Sequence, residues 1–514
     1  MTPGSGSAPV LPQVDPTPWA HPFLTADHIR RFREYSERVW AVAQAHRRSH
    51  ARTLQCGFSV NMAQNMYKWA KLANKYGADA TLYLNPQDTS ALSRPEWEEF
   101  DGECGDLFDG SRFLQQNPGI AVRAPLVEAP NDGSELWTAY STDPEWESWR
   151  SRLADTTADL SVFQSANVAA LRHRSQTVRH LPLLELQGMY PYFSWAEMLA
   201  RQDVNYVAST PFPAYASGKP YCIFSVGGDL QFDCGRADDL GRAMRMAFGA
   251  ARFILASNPH TLGHCRRFGL TNAVYLPYPM DSDVYCPGEG KARSEWTARF
   301  GGEVFVLSTA RIDSGVKGQT SDVQEALFRL AEERPAVRFI FLGWGVHVDD
   351  LQQRAAERGL AGRVIVLPPV GKQRLIDYYR SCDVVLDQFV YGYFGATALE
   401  AASIGKPVVM KLRADHYAPL YRNDVAPVEQ AGTPEEIRGA LLALIDSAEY
   451  RTDRGRQLRE WLLRNHGEQK TVPLLLALLQ IAADDATLPP DLDNPLDDPL
   501  SADERRYHEQ CRLL

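Results

Sequence analysis

The sequence predicts an α/β protein of two domains facing a cleft. Three observations carry that expectation. Short apolar runs, "VFVLSTARI", "VRFIFLGWG", "VIVLPP", "DVVLDQF" and "PVVMKL", alternate with helical stretches through the second half. A strand that is apolar on both faces needs helices on both sides, which is the signature of a buried parallel sheet. The first half alternates in the same way, and "LPYPMDSDVYCPGEG", dense in Pro, Gly and Asp, separates the two. At 514 residues the chain also exceeds what one hydrophobic core organises.

Taken in order, residues 1–24 are rich in Pro, Gly and Ser and read as a flexible lead, after which Thr25 caps a helix over 26–47. "TLQC", Gly57 and "NMAQNMYKWAKLANKYG" read as strand, glycine turn and helix, and "ADATLYL" as the next strand. Gly57 and Asn61 are therefore loop candidates for contact with an acceptor. "LPLLEL", "VNYVAS" and "PYCIFSV" are further strands, and 236–252 a helix. The domain boundary falls near 288, giving a first domain over 25–287 and a second over 288–467. Residues 468–514 follow as an extension. In it a helix over 468–483 is placed to cross back to the first domain, and "TLPPDLDNPLDDPL" is an acidic, proline-broken connector to a short amphipathic tail. No short-period repeat is present.

With 44% hydrophobic and 23% charged residues the composition is that of an ordinary globular protein, and no run approaches the ~20 apolar residues that span a bilayer. The amino terminus lacks the basic start and apolar core of a secretory signal, so the expected location is the cytoplasm, without stable membrane insertion. Eight cysteines without a C-x-x-C pair fit reduced thiols better than a disulfide framework or a zinc site. A net charge of -10 with dispersed basic residues disfavours nucleic acid. It leaves room for a small anionic ligand, which needs only one or two local cations.

Two stretches hold the chemistry. Arg311, Lys317 and Gly318 share one strand-to-helix loop, where cations and unpaired helix N–H groups together suit a diphosphate. In "GYFGATALE", Gly392 and Gly395 allow close backbone approach, and the amides of Phe394, Gly395, Ala396 and Thr397 open a helix toward an anion. Glu400 lies one turn inside that helix. A carboxylate at such a position is costly to bury unpaired but can accept hydrogen bonds from the vicinal hydroxyls of a ribose.

The run "STARIDSGVKG", "FIFLGWG", "VIVLPPV" and "LIDYYRSCDVVLDQFVYGYFGATALEAASIGKPVV" resembles the donor half of the family-four retaining glycosyltransferases, most clearly over 300–412. "LPYPMDSDVYCP" is similar to that family's linker phrase. The resemblance implies the GT-B fold, two Rossmann-like domains facing a cleft. It also implies that Arg311 and Lys317 hold the donor diphosphate and stabilise the leaving group, and that Glu400 binds the ribose. The loop at 368–371, with Pro369 and Val370, would read the base through main-chain groups. Cationic stabilisation of the departing nucleotide makes a metal unnecessary in this reading.

This chain departs from the family pattern in two places. Gly392 stands where the family has the first of two glutamates seven residues apart, although "LDQFVYGYFG" resembles a subgroup with an Asp-Gln pair before a Gly-aromatic-Gly loop. Asp387 either compensates or merely ends the strand. Val226 stands where members carry a histidine, followed by Gly227, Gly228 and Asp229. Asp229 is then the candidate for contacting the reacting sugar or the acceptor hydroxyl, with Gly227 and Gly228 as loop contacts.

Other features read as structural. His260 and His264 have metal-ligand spacing but no third ligand, and "GWG" at 343–345 completes no dinucleotide fingerprint. The aromatics of 188–195 and 211–221 either stack on an acceptor or fill core. The expectation is a retaining, metal-independent glycosyltransferase with no cofactor, taking a UDP- or GDP-linked sugar and an unidentified acceptor; a homodimer is compatible with it. Two other readings stay open on the sequence: a nucleotide-binding homologue without transfer, and a nucleotide-sugar epimerase or phosphorylase of the same fold.

Overall fold

The computed structural model describes residues 23–84, 90–128, 193–315 and 317–512. The strand expected at 181–186, residues 188–192 of the aromatic stretch and nearly all of the lead lie outside the described residues.

The first domain is built on β1 (Gln55–Ser59), β2 (Asp79–Leu84), β3 (Leu126–Glu128), β4 (Val204–Ala208), β5 (Tyr221–Phe224), β6 (Phe253–Ala256) and β7 (Ala273–Tyr275), paired in the order β3-β2-β1-β4-β5-β6-β7. The second holds β8 (Val304–Ser308), β9 (Val337–Leu342), β10 (Val364–Leu367), β11 (Val384–Leu386), β12 (Val408–Met410) and β13 (Glu429–Gln430), in the order β10-β9-β8-β11-β12-β13. Every pairing is parallel. In both sheets the chain reverses its direction of travel beside the first strand, between β1 and β4 and between β8 and β11. The carboxyl ends of strands at such a reversal form the crevice where open α/β sheets bind ligands.

Gly57 corrects the expected glycine turn. The strand runs through it, and a Cβ there would lie 2.2 Å from Asn205 Oδ1 on the paired strand. Glycine is required by a neighbour in β4, not by a bend. The loop starts at Val60, and Val60, Ala63 and Gln64 all have left-handed backbones, with φ of 60°, 50° and 66°. Such conformations cost energy for residues with a side chain and persist where surrounding contacts impose them. Those contacts are visible. The Asn61 amide donates to Gln64 Oε1 and Ser93 O, both at 2.9 Å, and its Oδ1 accepts from the Tyr67 N–H.

One apolar cluster runs through the first sheet, the facing surface of the second domain and the helix Glu468–Ala483. A second fills the outer side of the second sheet. A third, small one joins Ala91, Trp97, Cys104, Leu107 and Phe113. Glu468–Ala483 is apolar almost all round, as a helix buried on every side must be, and it packs against the helix Ala26–Ser49, β4 and β5. Lys75 bridges its Glu468 to Asp283 of the linker. The acidic connector is docked as well: Arg31 pairs with Asp493 and Asp498, both at 2.6 Å, and Arg38 with Asp491 at 2.8 Å. Among the described residues no helix is long and apolar enough to cross a membrane.

Candidate functional site

A cavity of about 560 Å³ lies between the domains at the carboxyl ends of the strands. Its first-domain wall comes from the loop after β1 (Met62, Ala63, Asn65), the end of β5 through Gly228, and the turn after β6 with Asn258 and His260. Its second-domain wall comes from Arg311 and Lys317 after β8, Trp344 after β9, and Tyr391, Phe394, Gly395 and Ala396 after β11.

Asp313 shapes the cationic loop. Its carboxylate accepts from Arg311 Nε at 2.5 Å and from the Lys317 main-chain N–H at 3.2 Å, so one residue holds the Arg311 guanidinium and the backbone that carries Lys317. Arg311 and Lys317 both line the cavity. Gly318, at φ +67°, lets the loop pass Val390, which a Cβ would approach to 2.6 Å. The helix Ala396–Ile404 begins directly at this wall. Thr320 caps the helix Ser321–Glu333 and Ser447 the helix Ala448–His466 with their hydroxyls, whereas Ala396–Ile404 follows Gly395, which has no side chain to cap it. The positive end of that helix and the two cations beside it make this wall favour an anion.

Phe394 is clamped from both domains. Its N–H donates to Tyr417 Oη at 2.9 Å, and its carbonyl accepts from Asn258 Nδ2 at 3.0 Å. Tyr391 Oη meets His260 Nε2 across the cleft at 2.8 Å. Burial pushes His260 and His264 down to about 3, which keeps both imidazoles neutral. Among the described residues they belong to no metal-binding cluster.

Of the residues singled out by sequence, Gly227, Gly228, Arg311, Lys317, Phe394, Gly395 and Ala396 share this cavity. The others stand elsewhere. Asp229 is turned away from the cavity: its carboxylate accepts from Ser225 Oγ at 2.7 Å and from the N–H groups of Val226, Gly227 and Leu230. Burial pushes it up to about 6 against those bonds. It organises the turn that presents Gly227 and Gly228. Gly392, at φ +79°, donates its N–H to Gln388 Oε1, and Arg413 occupies the space a side chain would need. Gln388, the second residue of the Asp-Gln pair, is therefore the scaffold of this loop. Asp387 is fully buried, and burial pushes its carboxyl up against the opposing charge of Lys317. Thr397 contacts Thr309 at 3.2 Å behind the wall. Gly57 and Asn61 serve the backbone geometry described above.

Glu400 differs most from expectation. It is buried, and its Oε1 accepts from Lys68 at 2.8 Å and Lys372 at 2.7 Å, while Oε2 accepts from Lys372 at 2.8 Å and Tyr379 at 3.4 Å. Burial opposes its charge, but the ammonium groups of Lys372 and Lys68 outweigh that and hold the carboxyl down to about 2. Pro369 and Val370 also have partners: Cys104 N–H donates to Pro369 O at 2.8 Å and the Trp97 indole to Val370 O at 3.1 Å. Pro369 lines a second cavity of about 350 Å³ on the far side of Trp344. Sequence reasoning missed Lys68, Trp97, Lys372 and Asp313. Only Asp313, two residues from Arg311, left a local signal.

Fold and cavity define a two-domain α/β protein with a cationic, anion-accepting wall in its interdomain cleft. Residues 294–461, which supply that wall, match the family of glycosyl transferases group 1. The chain is 36% identical over 136 residues to a D-inositol 3-phosphate glycosyltransferase of Mycobacteroides abscessus, covering 25% of this chain and 29% of that protein. It is 41% identical over 152 residues to one from Streptomyces griseus, covering 26% and 31%. The chain thus matches less than a third of the length of these curated relatives. Among solved structures, Anabaena Alr3699/HepE in complex with UDP and glucose superposes with a TM-score of 0.52 at 14% identity, covering 85% of this chain and all of that one. Sucrose-phosphate synthase from Thermosynechococcus elongatus superposes at 0.50 and 12%, covering 84% and all of it. The fold is GT-B.

Proposed function

We propose that the protein transfers a sugar from a nucleoside-diphosphate sugar to an acceptor hydroxyl, with retention at the anomeric carbon, as a cytoplasmic enzyme. The observation that carries this reading is the convergence of Arg311, Lys317 and the amino-terminal end of Ala396–Ile404 on one cavity. A leaving diphosphate gains negative charge as the glycosidic bond breaks, and preformed cations and N–H dipoles aimed at it stabilise the transition state more than the ground state. The group 1 match over 294–461 and the UDP and glucose bound by the Anabaena relative support the same reading. The transferred sugar then lies toward Gly227 and Gly228, whose missing side chains leave it room. The acceptor enters between Met62 and Phe232, exposed apolar side chains at the cavity's first-domain edge.

The test is a panel of UDP-, GDP- and dTDP-sugars scored by thermal shift and donor hydrolysis, followed by NMR of the product's anomeric configuration. Stabilisation by one nucleotide series with an unchanged anomer is expected. Absence of any nucleotide effect overturns the donor reading, and an inverted product overturns retention.

A further inference from the structure

Resting on the nucleotide-sugar reading, the structure assigns a second role to the first domain. A diphosphate at the start of Ala396–Ile404 directs its nucleoside along that helix toward Glu400 and the loop 369–373. The polar groups waiting there are already engaged by the chain itself. Besides the bonds from Trp97 and Cys104, the Gly371 N–H donates to Gly102 O at 2.8 Å and the Gln373 N–H to Phe100 O at 3.1 Å. Glu103 and Val370 form an antiparallel bridge. Gly371 is glycine because a Cβ would come within 2.3 Å of Phe100 O. Arg374 pairs with Asp101 at 2.9 Å, and the Lys372 ammonium lies 5.2 Å from the centre of the Trp97 ring. Lys68, also from the first domain, takes the Glu400 oxygen that a ribose hydroxyl would use. The small core of Ala91, Trp97, Cys104, Leu107 and Phe113 keeps the segment in shape independently of any ligand.

We propose that Trp97–Cys104 and Lys68 form an intramolecular latch that stands in for a nucleoside. The indole N–H and the main chain of 100–104 fill the hydrogen-bonding positions of a base, and the Lys68 ammonium fills that of a ribose. A nucleoside diphosphate binds fully only when the latch leaves, so the latch sets donor affinity and discriminates between bases by which of them replaces its bonds. Inorganic diphosphate, which sees only Arg311, Lys317 and the helix start, does not compete with it.

Titration calorimetry of the full chain with UDP, GDP, dTDP and inorganic diphosphate tests this. Trp97→Phe keeps the ring and removes the bond to Val370, and Lys68→Met keeps the stem while Lys372 still neutralises Glu400. Each variant is expected to bind at least one nucleotide about fivefold more tightly, the equivalent of one hydrogen bond of about 1 kcal/mol, with diphosphate affinity unchanged. Hydrogen exchange on the wild-type chain gives an independent readout: the Cys104 amide should exchange faster with nucleotide bound and not with diphosphate bound. Unchanged or weaker nucleotide binding in folded variants, or a Cys104 amide indifferent to nucleotide, overturns the latch. Failure of every protein to bind both nucleotide and diphosphate overturns the donor reading itself, and the latch with it.

Discussion

Arg311 and Lys317 are neighbours in sequence and meet at one cavity wall, where Asp313, lying between them, holds the Arg311 guanidinium and the Lys317 main chain. Replacing either by Ala should weaken inorganic diphosphate and nucleotide binding by about 1.5–3 kcal/mol, the range of a charge-assisted hydrogen bond, and the Lys317 variant, which also takes the opposing charge from buried Asp387, should melt lower than the Arg311 variant. Calorimetric titration checks both. Glu400 behaves differently, since its substitution strands two buried ammonium groups. Glu400→Gln should cost about 3–5 kcal/mol near pH 7. Its carboxyl lies at about 2 in the folded chain against an ordinary 4.5, so the charge stabilises the fold above about pH 4.5 and that stabilisation fades as pH falls toward 2. Urea titrations of wild type and variant should therefore converge as pH is lowered from 5 toward 2. A constant gap would remove the ionised carboxylate as its cause.

At the scale of elements, what was readable depended on the range of the interactions. The strands β8 to β12 announce themselves as apolar runs because burial on both faces is written into consecutive residues. The cationic loop was readable for a similar reason, its residues lying within one connection. Glu400 was readable as an unusual buried carboxylate but not as a satisfied one, since Lys68 is 332 positions away. Gly57 was misread as a turn because its cause, the Asn205 side chain on β4, leaves no trace beside it. Gly57→Ala should accordingly destabilise the first domain by about 1–3 kcal/mol, the usual cost of forcing an atom into a packed core, measurable as a lower urea midpoint. Asp229→Ala should act on the same scale for another reason. It removes the acceptor for the N–H groups of Val226, Gly227 and Leu230 and for the Ser225 hydroxyl, so about 2–3 kcal/mol of stability should go with it. Donor binding should fall less than in the Arg311 variant.

Across the whole molecule, the largest apolar cluster ignores the domain boundary, passing from the first sheet through Tyr393 and Phe394 to Trp461 and the helix Glu468–Ala483. Two domains sharing buried surface of this kind should melt together. Differential scanning calorimetry is expected to show one transition, with calorimetric and van't Hoff enthalpies in agreement. Two resolved transitions would show that the sheets hold themselves up separately. The helix that closes the first domain, Glu468–Ala483, is encoded after the whole of the second. On a ribosome, where chains emerge at ~5–20 residues per second, the first sheet is made early and waits for the rest of the chain before that face is covered. Order of synthesis and order of completion are thus reversed, and a nascent chain stalled before residue 468 exposes oily surface that other machinery must shield.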